Sequence, residues 1–389
     1  MWVKMRYEIN EEEAMILKMV DDICTNVVSQ RAAEIDEQDE FPEDIYRLFA
    51  EQGLFSLAYG EEYGGCQVGM HCWVRMIERI SKESPAVALM VLISAIGSDA
   101  LVFSGSEEQK STILPRLASG EAKICFALTE PRAGSDISSI STTAKPVDGG
   151  WKIDGAKIFI TNGEVSDYFT VFAKVPRDDE MLPTCFVVPR DTSGLVIGRK
   201  EHKIGLRGSV TSQLFFEDMF VTPDMLVGEV GQGFDIAHHT LNRGRLAVAA
   251  LSTGVTAACV EAAATYAQER VQFHRSISDF QAVKFMLADM EISLEASRLL
   301  LDQAADAYMD RSADMMKTAS AAKAFCSEHA VDAARDAVQI FGGYGLCKDY
   351  PVERYYRDAR AFTIIEGTSQ VQKSLVAKAV LREYAKPEA

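Results

Sequence analysis

The sequence predicts a mainly α-helical protein in three parts, with a small antiparallel β domain between two helical domains. Helical periodicity dominates residues 9–120 and returns from Phe234 onward, whereas short strand-like runs bounded by turn residues fill the region between them. We therefore expect an N-terminal helical domain over 1–120, a middle β domain over 121–233 and a C-terminal four-helix bundle over 234–389.

The N-terminal part contains several helix-start signals. Asn10 precedes three glutamates, and Pro42 stands just before an acidic pair. Ser84-Pro85 separates two helical stretches, 71–82 and 86–103. The first half of the second stretch is almost wholly apolar, so we expect this helix to be buried on most sides.

The middle part reads as short strands. Trp151–Gly155 alternates between apolar and polar residues and then turns, and Lys157–Gly163 reads as a separate strand leading into a turn. This spacing favours a small antiparallel sheet. The predicted strand-like runs are Ile124–Thr129, Trp151–Gly155, Lys157–Gly163, Tyr168–Ala173, Cys185–Val188 and Gln213–Phe216.

The C-terminal part contains long amphipathic stretches, which predict an antiparallel helix bundle. Three of them are Phe234–Arg270, Phe280–Asp310 and Ala313–Phe341, the last stopped by a glycine pair. A fourth begins after Glu366, where Thr368 or Ser369 is the natural N-cap.

Charge and composition exclude some classes of function. The formal net charge of −17 argues against nucleic acid and against an anionic membrane surface as partners. No uninterrupted apolar stretch reaches the ~20 residues of a membrane span, so we expect no membrane insertion. The first residues show no secretory signal, which favours a cytoplasmic protein, or one of the mitochondrial matrix in a eukaryote.

Eight cysteines are scattered along the chain without a CxxC pair or a Cys/His cluster of metal-ligand spacing. We expect reduced, buried thiols in a reducing compartment, and no metal site.

Glu366 is the candidate catalytic residue. It follows two apolar β-branched residues and precedes Gly367, just outside the predicted helix cap. Partial desolvation there would raise the pKa of the carboxyl toward working pH and make it a general base. The alternative is a structural glutamate held by the helix dipole.

The segment Ile364–Gln372, IIEGTSQVQ, resembles the catalytic-glutamate segment of the acyl-CoA dehydrogenase family, and Pro351–Arg354 and Arg357–Ala359 resemble its lead-in. The order helical, β, helical also matches that family's fold. The resemblance implies FAD-dependent α,β-dehydrogenation of an acyl-CoA thioester. Glu366 would take the α-proton, the flavin the β-hydride, and an electron-transfer flavoprotein the electrons.

Two motifs of the middle part resemble the family's flavin-binding segments. Leu128–Asp136 is similar to its TEPxAGSD signature, and Phe159–Asn162 to its W-I-T-N strand, with phenylalanine in place of tryptophan. Read alone, the first is either a strand-to-strand turn or a loop that presents backbone N–H groups and hydroxyls to a ring or phosphate edge, and the second is an ordinary hairpin. The resemblance assigns the following residues to the flavin, and Ser135 to the acyl-CoA as well: Phe126, Leu128, Thr129, Ser135, Phe159 and Thr161.

The segment Leu241–Arg245 reads as the start of a long helix. Arginines near a helix N-terminus are unfavourable with the helix dipole, which hints at another anion nearby. The alternative is a solvated helix face. The resemblance assigns Asn242 and Arg245, together with Glu366 and Gly367, to the acyl-CoA site.

Further residues are implied to contact FAD, several of them from a neighbouring subunit, which makes a homotetramer built as a dimer of dimers the expected assembly. Arginine suits the pyrophosphate through planar bidentate donation. His274 stands where the family often has glycine, which leaves the shape of that loop open. The implied residues are Arg270, Gln272, Phe273, Gln281, Gln339, Gly342, Gly343, Thr368 and Gln370.

Several readings of function remain open. Some family members carry the base at the position of Gly244, and glycine there favours Glu366. Short or medium straight-chain, branched and cyclic acyl-CoA are all compatible substrates. The alternatives are an enoyl-CoA reductase using the same site in reverse, a flavin monooxygenase, and a non-catalytic acyl-CoA-binding protein.

Overall fold

The computed structural model describes residues 8–385 and confirms the predicted helical–β–helical order. The termini of the two outer predicted domains, residues 1–7 and 386–389, lie outside the described residues. A π-helical turn, Cys24–Val28, joins the first two helices. The N-terminal helices are α1 Glu11–Ile23, α2 Ser29–Gln38, α3 Glu43–Glu51, α4 Met70–Glu83, α5 Pro85–Ser104 and α6 Glu107–Ala118.

Side-chain caps fix the predicted helix starts in this region. The Asn10 side chain accepts a hydrogen bond from the backbone N–H of Glu13 at 2.9 Å, and the Glu13 carboxylate accepts one from Asn10 N–H at 3.3 Å. This reciprocal pair is a capping box. Ser84 caps α5 with a single side-chain hydrogen bond, which it accepts from the N–H of Val87 at 3.4 Å.

Helix α5 is buried from Pro85 to Leu101, as its apolar sequence predicts. Two helices, Pro85–Ser104 and Gly233–Glu269, are long and apolar enough to cross a membrane by length and composition. Their apolar windows are 89% and 78% buried by the rest of the chain. We therefore interpret both as core helices.

The middle part forms one eight-stranded sheet in the order β6-β7-β3-β2-β4-β5-β8, with β1 added beside β4. Its pairings are antiparallel except that β1 and one residue pair of β2 run parallel to β4. Strands β2, β6 and β8 were not predicted, because they are short and contain proline or glycine or few apolar residues. The strands are β1 Ile124–Ala127, β2 Thr143–Val147, β3 Gly150–Thr161, β4 Tyr168–Arg177, β5 Glu180–Pro189, β6 Leu195–Lys200, β7 Thr211–Val221 and β8 Leu226–Val227.

Strand β3 corrects the prediction of two separate strands at 151–155 and 157–163. The chain runs through as a single strand paired with β7, and the register shifts between Ile153 and Gly155. Gly155 has φ +152°, and a Cβ there would overlap Thr142. The apparent turn in the sequence is therefore an irregularity inside one strand.

The C-terminal part is a bundle of long helices with one additional helix, α10, that the sequence analysis did not identify. Helix α7 packs against α9, α8, α4 and α5, so it connects the bundle with the N-terminal helices. The helices are α7 Gly233–Glu269, α8 Gln281–Met309, α9 Met315–Phe341, α10 Val352–Phe362 and α11 Ser369–Glu383.

A tight hairpin follows α7, with strands β9 Val271–Gln272 and β10 Arg275–Ser276. Its two turn residues, Phe273 and His274, both have positive φ angles of 53° and 64°. This is the backbone of a two-residue type I′ turn, in which glycine is common. His274 therefore adopts the conformation that a glycine would favour, which resolves the loop shape that the sequence left open.

The cysteines only partly match the prediction. None of the eight is in a disulfide, but Cys66 and Cys347 are exposed, while the other six are buried. Within residues 8–385 no group of His, Cys, Asp or Glu side chains is arranged to hold a metal ion.

Candidate active site

A cavity of about 440 Å³ lies between α5, the middle sheet and the C-terminal bundle. It brings together most of the residues predicted for the flavin ring and the acyl group. These are Phe126, Leu128, Thr129, Ser135, Phe159, Thr161, Arg245, Glu366 and Gly367. Residues 126–161 come from the middle domain, Arg245 from α7 and Glu366 from the turn before α11, so three distant segments of sequence converge here.

Glu366 lies in a turn with an unusual backbone. Its φ angle is 52° and that of Gly367 is 92°. A left-handed conformation is uncommon for a residue with a Cβ, and it often occurs at functional sites. The Thr368 side chain accepts from Val371 N–H at 3.3 Å, which confirms Thr368 as the cap of α11.

The carboxylate of Glu366 has an oxygen without a protein partner. Glu366 Oε2 is buried, and no hydrogen bond to it exists among the described residues. A Cβ added to Gly244 would overlap this oxygen, so glycine at 244 leaves room for the side chain. Burial raises the pKa of Glu366, and the positive charges of Arg245 and Lys323 oppose that rise. An unpartnered buried carboxylate with a raised pKa fits a general base.

Arg245 is a buried cation of the cavity wall. Helix α7 begins at Gly233, so the segment Leu241–Arg245 lies inside the helix and the prediction that it starts there is wrong. Asn242 and Arg245 are buried, which excludes the solvated helix face. Arg245 donates to the Asn242 side chain at 2.6 Å. Burial lowers the pKa of Arg245 to about 10, and the charge of Glu366 opposes that shift.

Arg243 is separate from the cavity. It donates to Asp99 at 2.7 Å in a buried ion pair between α7 and α5, and its guanidinium lies over the Trp73 ring at 4.6 Å. The two arginines therefore have different acidic partners. Arg243 pairs with Asp99, whereas Glu366 is the acidic group whose charge acts on Arg245.

Two residues that the sequence analysis did not identify, on α9 and α11, bind the backbone of the Glu366 turn. The Lys323 ammonium donates to the Gly367 carbonyl at 2.7 Å, and Gln372 Nε2 donates to the carbonyls of Glu366 and Gly367 at 3.0 and 3.1 Å. The position of Lys323 was a usable signal, because it is the one charged residue in a stripe of small uncharged residues. The buried residues around it on α9 are Ala319, Ser320, Ala322, Cys326, Ser327 and Ala330.

The flavin-side wall of the cavity fits a planar apolar ring with a polar edge. Phe126, Leu128 and Phe159 supply apolar surface, and Phe159 is 60% exposed with a positive φ of 58°. The side chains of Thr129, Ser135 and Thr161 add hydroxyl groups to the same cavity. Within the described residues, the backbone N–H groups of Ser135 and Glu366 have no protein acceptor. These features match the cofactor that the resemblance implies.

A buried ion pair supports this wall. Lys157 on β3 donates to Glu130 at 2.8 Å and to the Leu128 carbonyl at 3.1 Å. Glu130 also accepts from the backbone N–H groups of Ser141 and Thr142. Although burial opposes it, this set of donors lowers the pKa of Glu130 to about 2.

We expect Lys157→Met to lower the free energy of unfolding by about 3 kcal/mol, because the Glu130 carboxylate would remain buried without its counter-charge. Urea unfolding followed by circular dichroism measures this loss. The matched control is Lys152→Met on the same strand, which removes an exposed pair with Asp218 and should change stability by less than about 1 kcal/mol. Equal effects of the two variants would contradict the support role.

A second cavity, of about 510 Å³, lies at the far end of α7 and collects residues predicted for the distal part of FAD. It contains Arg270, Gln272, Gly342 and Gly343. The Arg270 guanidinium lies 5.6 Å from the centre of the Tyr344 ring. Gly342 ends α9 with a φ of 61°, and a Cβ on either glycine would meet only open space.

The remaining predicted cofactor residues line neither cavity. Phe273 is 84% exposed at the hairpin tip, and Gln281 is the first residue of α8. Gln339 is an exposed residue near the end of α9. Thr368 caps α11, and Gln370 is exposed in its first turn. Their assignment to FAD stays a prediction.

Three family models match consecutive parts of the chain. They are the N-terminal, middle and C-terminal domains of acyl-CoA dehydrogenase, over residues 10–121, 125–219 and 231–381. Among relatives, the "Acyl-CoA dehydrogenase" of Bacillus subtilis is 40% identical over 96% of this chain and 99% of its own length. The "Caffeyl-CoA reductase-Etf complex subunit CarC" of Acetobacterium woodii is 39% identical over 96% and 99%.

Solved structures agree with these sequence matches. Butyryl-CoA dehydrogenase from Megasphaera elsdenii superposes with a TM-score of 0.93 at 33% identity, over 97% of this chain and all of that chain (100%). Acyl-CoA dehydrogenase complexed with FAD from Bacillus anthracis superposes with a TM-score of 0.90 at 31% identity, over 97% and 68%.

Proposed function

The chain belongs to the acyl-CoA dehydrogenase family of FAD-dependent oxidoreductases that act on acyl-CoA, and on this premise we propose that it oxidises the Cα–Cβ bond of an acyl-CoA thioester with Glu366 as the base. The observation that carries the proposal is the unpartnered, buried Oε2 of Glu366 in a cavity that also holds Arg245.

Glu366 would abstract the α-proton. A free carboxylate has a pKa of about 4.3 and is a weak base, so burial of this group, which raises its pKa, brings it nearer to the acidity of the substrate. The backbone N–H of Glu366 is free to donate to the thioester oxygen, where negative charge develops as the proton leaves. Bound FAD supplies the acceptor for the hydride that departs from Cβ.

The residues that would hold FAD fall into the two cavities. Phe126, Leu128 and Phe159 provide the apolar face for the ring, and Thr129 and Thr161 provide hydroxyl groups at its edge. Arg270 offers planar donors for the pyrophosphate. The two cavities lie toward opposite ends of α7, and this separation supports a cofactor shared between subunits.

The substrate is inferred to carry an apolar acyl group. Aliphatic side chains from α5, α7 and α11 line the cavity, and they favour a hydrocarbon chain or ring over a charged tail. These side chains are Ile93, Ile96, Leu241, Val371 and Leu375.

A second candidate is the same site working as an enoyl-CoA reductase. The relative from Acetobacterium woodii, at 39% identity, is by its name a reductase subunit in a complex with Etf. In this direction protonated Glu366 would return a proton to Cα. An electron-transfer flavoprotein is the proposed electron partner in either direction, and the name of the same relative supports it.

The proposed assembly is a homotetramer, supported by an apolar stripe on α8 that the single chain leaves open. Phe285, Ile292 and Leu299 recur every seven residues and are 59%, 66% and 62% exposed. Such a stripe is typical of a helix packed against another helix. A cytoplasmic location stays a prediction.

The visible spectrum of the purified protein, followed by anaerobic titration with a panel of acyl-CoA thioesters, tests the proposed function. We expect a flavin band that one class of saturated acyl-CoA bleaches. A flavin that saturated acyl-CoA does not bleach, but that an added reductant reduces and enoyl-CoA reoxidises, would establish the reductase. A protein that takes up no FAD would refute both candidates and favour the binding protein. A flavin that reacts with oxygen and not with acyl-CoA would favour the monooxygenase.

We expect Arg245→Gln to slow flavin bleaching about tenfold at neutral pH. Its acid limb, the part of the pH profile where the bleaching rate falls because Glu366 is protonated, should move to higher pH. The reason is that the pKa of Glu366 rises further when a neighbouring cation is lost. Bleaching rates measured between pH 5.5 and 9 test this. Arg298→Gln, a surface substitution on α8, serves as the control. An unchanged limb in Arg245→Gln would show that this cation does not act on Glu366.

A further inference from the structure

The turn that carries Glu366 is bound from the side of the bundle by two buried side chains. Lys323 on α9 and Gln372 on α11 together make three hydrogen bonds to the carbonyls of Glu366 and Gly367. Both side chains belong to residues with no exposed surface. The left-handed backbone of Glu366 is therefore fixed by donors that lie outside the residues of the turn itself.

Burial of the charged Lys323 side chain costs free energy. Within the described part of the chain it forms no ion pair, and its one hydrogen bond is to a carbonyl oxygen. A buried ammonium without a bonded carboxylate costs several kcal/mol. A neutral donor such as Gln372 already satisfies the same carbonyl, at 3.1 Å. The hydrogen bond alone therefore does not account for a charged group at this position.

The charge of Lys323 acts on Glu366. Glu366 is the largest charge that favours the ammonium form of Lys323, and Lys323 in turn is one of two cations that favour the carboxylate form of Glu366. Burial lowers the pKa of Lys323 to about 8, and the charge of Glu366 opposes that shift. Two features, a hydrogen bond to the turn and a positive charge beside the base, are thus combined in one side chain.

We propose that Lys323 is the positioning residue of the catalytic turn: it holds the Gly367 carbonyl so that the Glu366 side chain is directed into the cavity, and it places a positively charged group against the turn that carries the base. Lys323 does not itself line the cavity, and it acts through the turn that carries Glu366. The inference rests on the proposed function, because it requires Glu366 to be the base.

Several charged groups surround this pair and enter its pH dependence. Arg245 on α7 faces Glu366 and weakens the ammonium form of Lys323. His238 on α7 and Lys378 on α11 line the same cavity. Glu328 on α9 attracts Lys323 but is itself paired with Lys373 at 2.6 Å. None of these groups changes in the variants below, so a shift between variants is due to Lys323.

The test compares Lys323→Met, Lys323→Gln and Lys323→Arg with the wild type. Methionine removes both charge and donor, glutamine keeps a donor, and arginine keeps both. Lys317→Met on the same helix is the matched control, because it removes a lysine whose partner is the surface residue Glu383. The readouts are FAD content by absorbance and the pH dependence of flavin bleaching by saturating acyl-CoA under anaerobic conditions.

We expect FAD-loaded Lys323→Met to bleach at least about tenfold more slowly than the wild type, with its acid limb moved up by about one pH unit. Lys323→Gln should show the same shift with a smaller loss of the limiting rate. Lys323→Arg should return the limb toward its wild-type position, and Lys317→Met should match the wild type throughout.

Opposite results would overturn the inference. Superposable pH profiles for the wild type and the FAD-loaded Met or Gln variants would show that the charge does not act on the base. If the Met and Gln variants fail to bind FAD while the Arg variant binds it and has a wild-type profile, the role of Lys323 is structural and the inference fails. A wild type that no acyl-CoA or enoyl-CoA affects would instead refute the proposed function.

Discussion

Glu366→Gln should retain FAD and lose its reaction with acyl-CoA by a factor of about 10⁴, the upper range for removal of a general base. Glutamine has nearly the same shape but cannot accept the α-proton. The turn should survive, because its carbonyls remain bound by Lys323 and Gln372. Stopped-flow bleaching of the flavin measures the rate, and the spectrum of the variant before mixing measures its FAD content.

The control for this substitution is Glu291→Gln, which neutralises an exposed glutamate on α8. It should leave both the FAD content and the bleaching rate unchanged. Normal bleaching in Glu366→Gln would remove Glu366 from the role of base, and the carboxylate responsible would have to be sought elsewhere.

Moving the base from the turn to helix α7 should restore activity in part. A Cβ on Gly244 would overlap Glu366 Oε2, so a side chain at 244 projects into the space that the catalytic carboxylate occupies. Glu366→Gly alone should be nearly inactive. We expect the double variant Glu366→Gly/Gly244→Glu to bleach about 100-fold faster than Glu366→Gly. It should stay well below the wild type, because misplacement of a reacting group by about 1 Å costs about 100-fold.

A second double variant separates position from the mere presence of a carboxylate. Leu241 lies on the same helix and also lines the cavity. Glu366→Gly/Leu241→Glu should therefore recover much less than the variant with glutamate at 244. Equal recovery from both positions, or none from 244, would mean that the space beside Gly244 is not where proton transfer takes place.

Local rules predicted much of the fold. Asn10, Ser84 and Thr368 cap helices where the sequence indicates, because a cap needs only a few neighbouring residues. Strand β3 was predicted as two strands, because its irregularity at Gly155 resembles a turn when the partner strand β7 is not known. Edge strand β6 was missed because pairing, not its own pattern, makes it a strand.

The candidate site was predicted only where a motif is contiguous. The Glu366 turn and the Leu128–Asp136 loop are short segments with recognisable composition, and both line the cavity. Lys323 lies 43 positions from Glu366 along the sequence, in an alanine-rich helix, so only the packing of α9 against α11 reveals its contact. The sequence allowed two readings of this helix: the long stretch from Phe234 is confirmed, whereas the reading of Leu241–Arg245 as a helix start is wrong, and Arg245 lies about three turns inside α7.

The length of helix α7 gives the separation of the two cavities. Arg245, in the first cavity, and Arg270, at the C-cap of α7 in the second, are 25 residues apart, which at 1.5 Å per residue is about 38 Å. A single dinucleotide is too short to reach from one cavity to the other within one chain. If one FAD uses both kinds of cavity, as proposed above, the second cavity must belong to another copy of the chain, and retention of the cofactor would then depend on protein concentration through mass action.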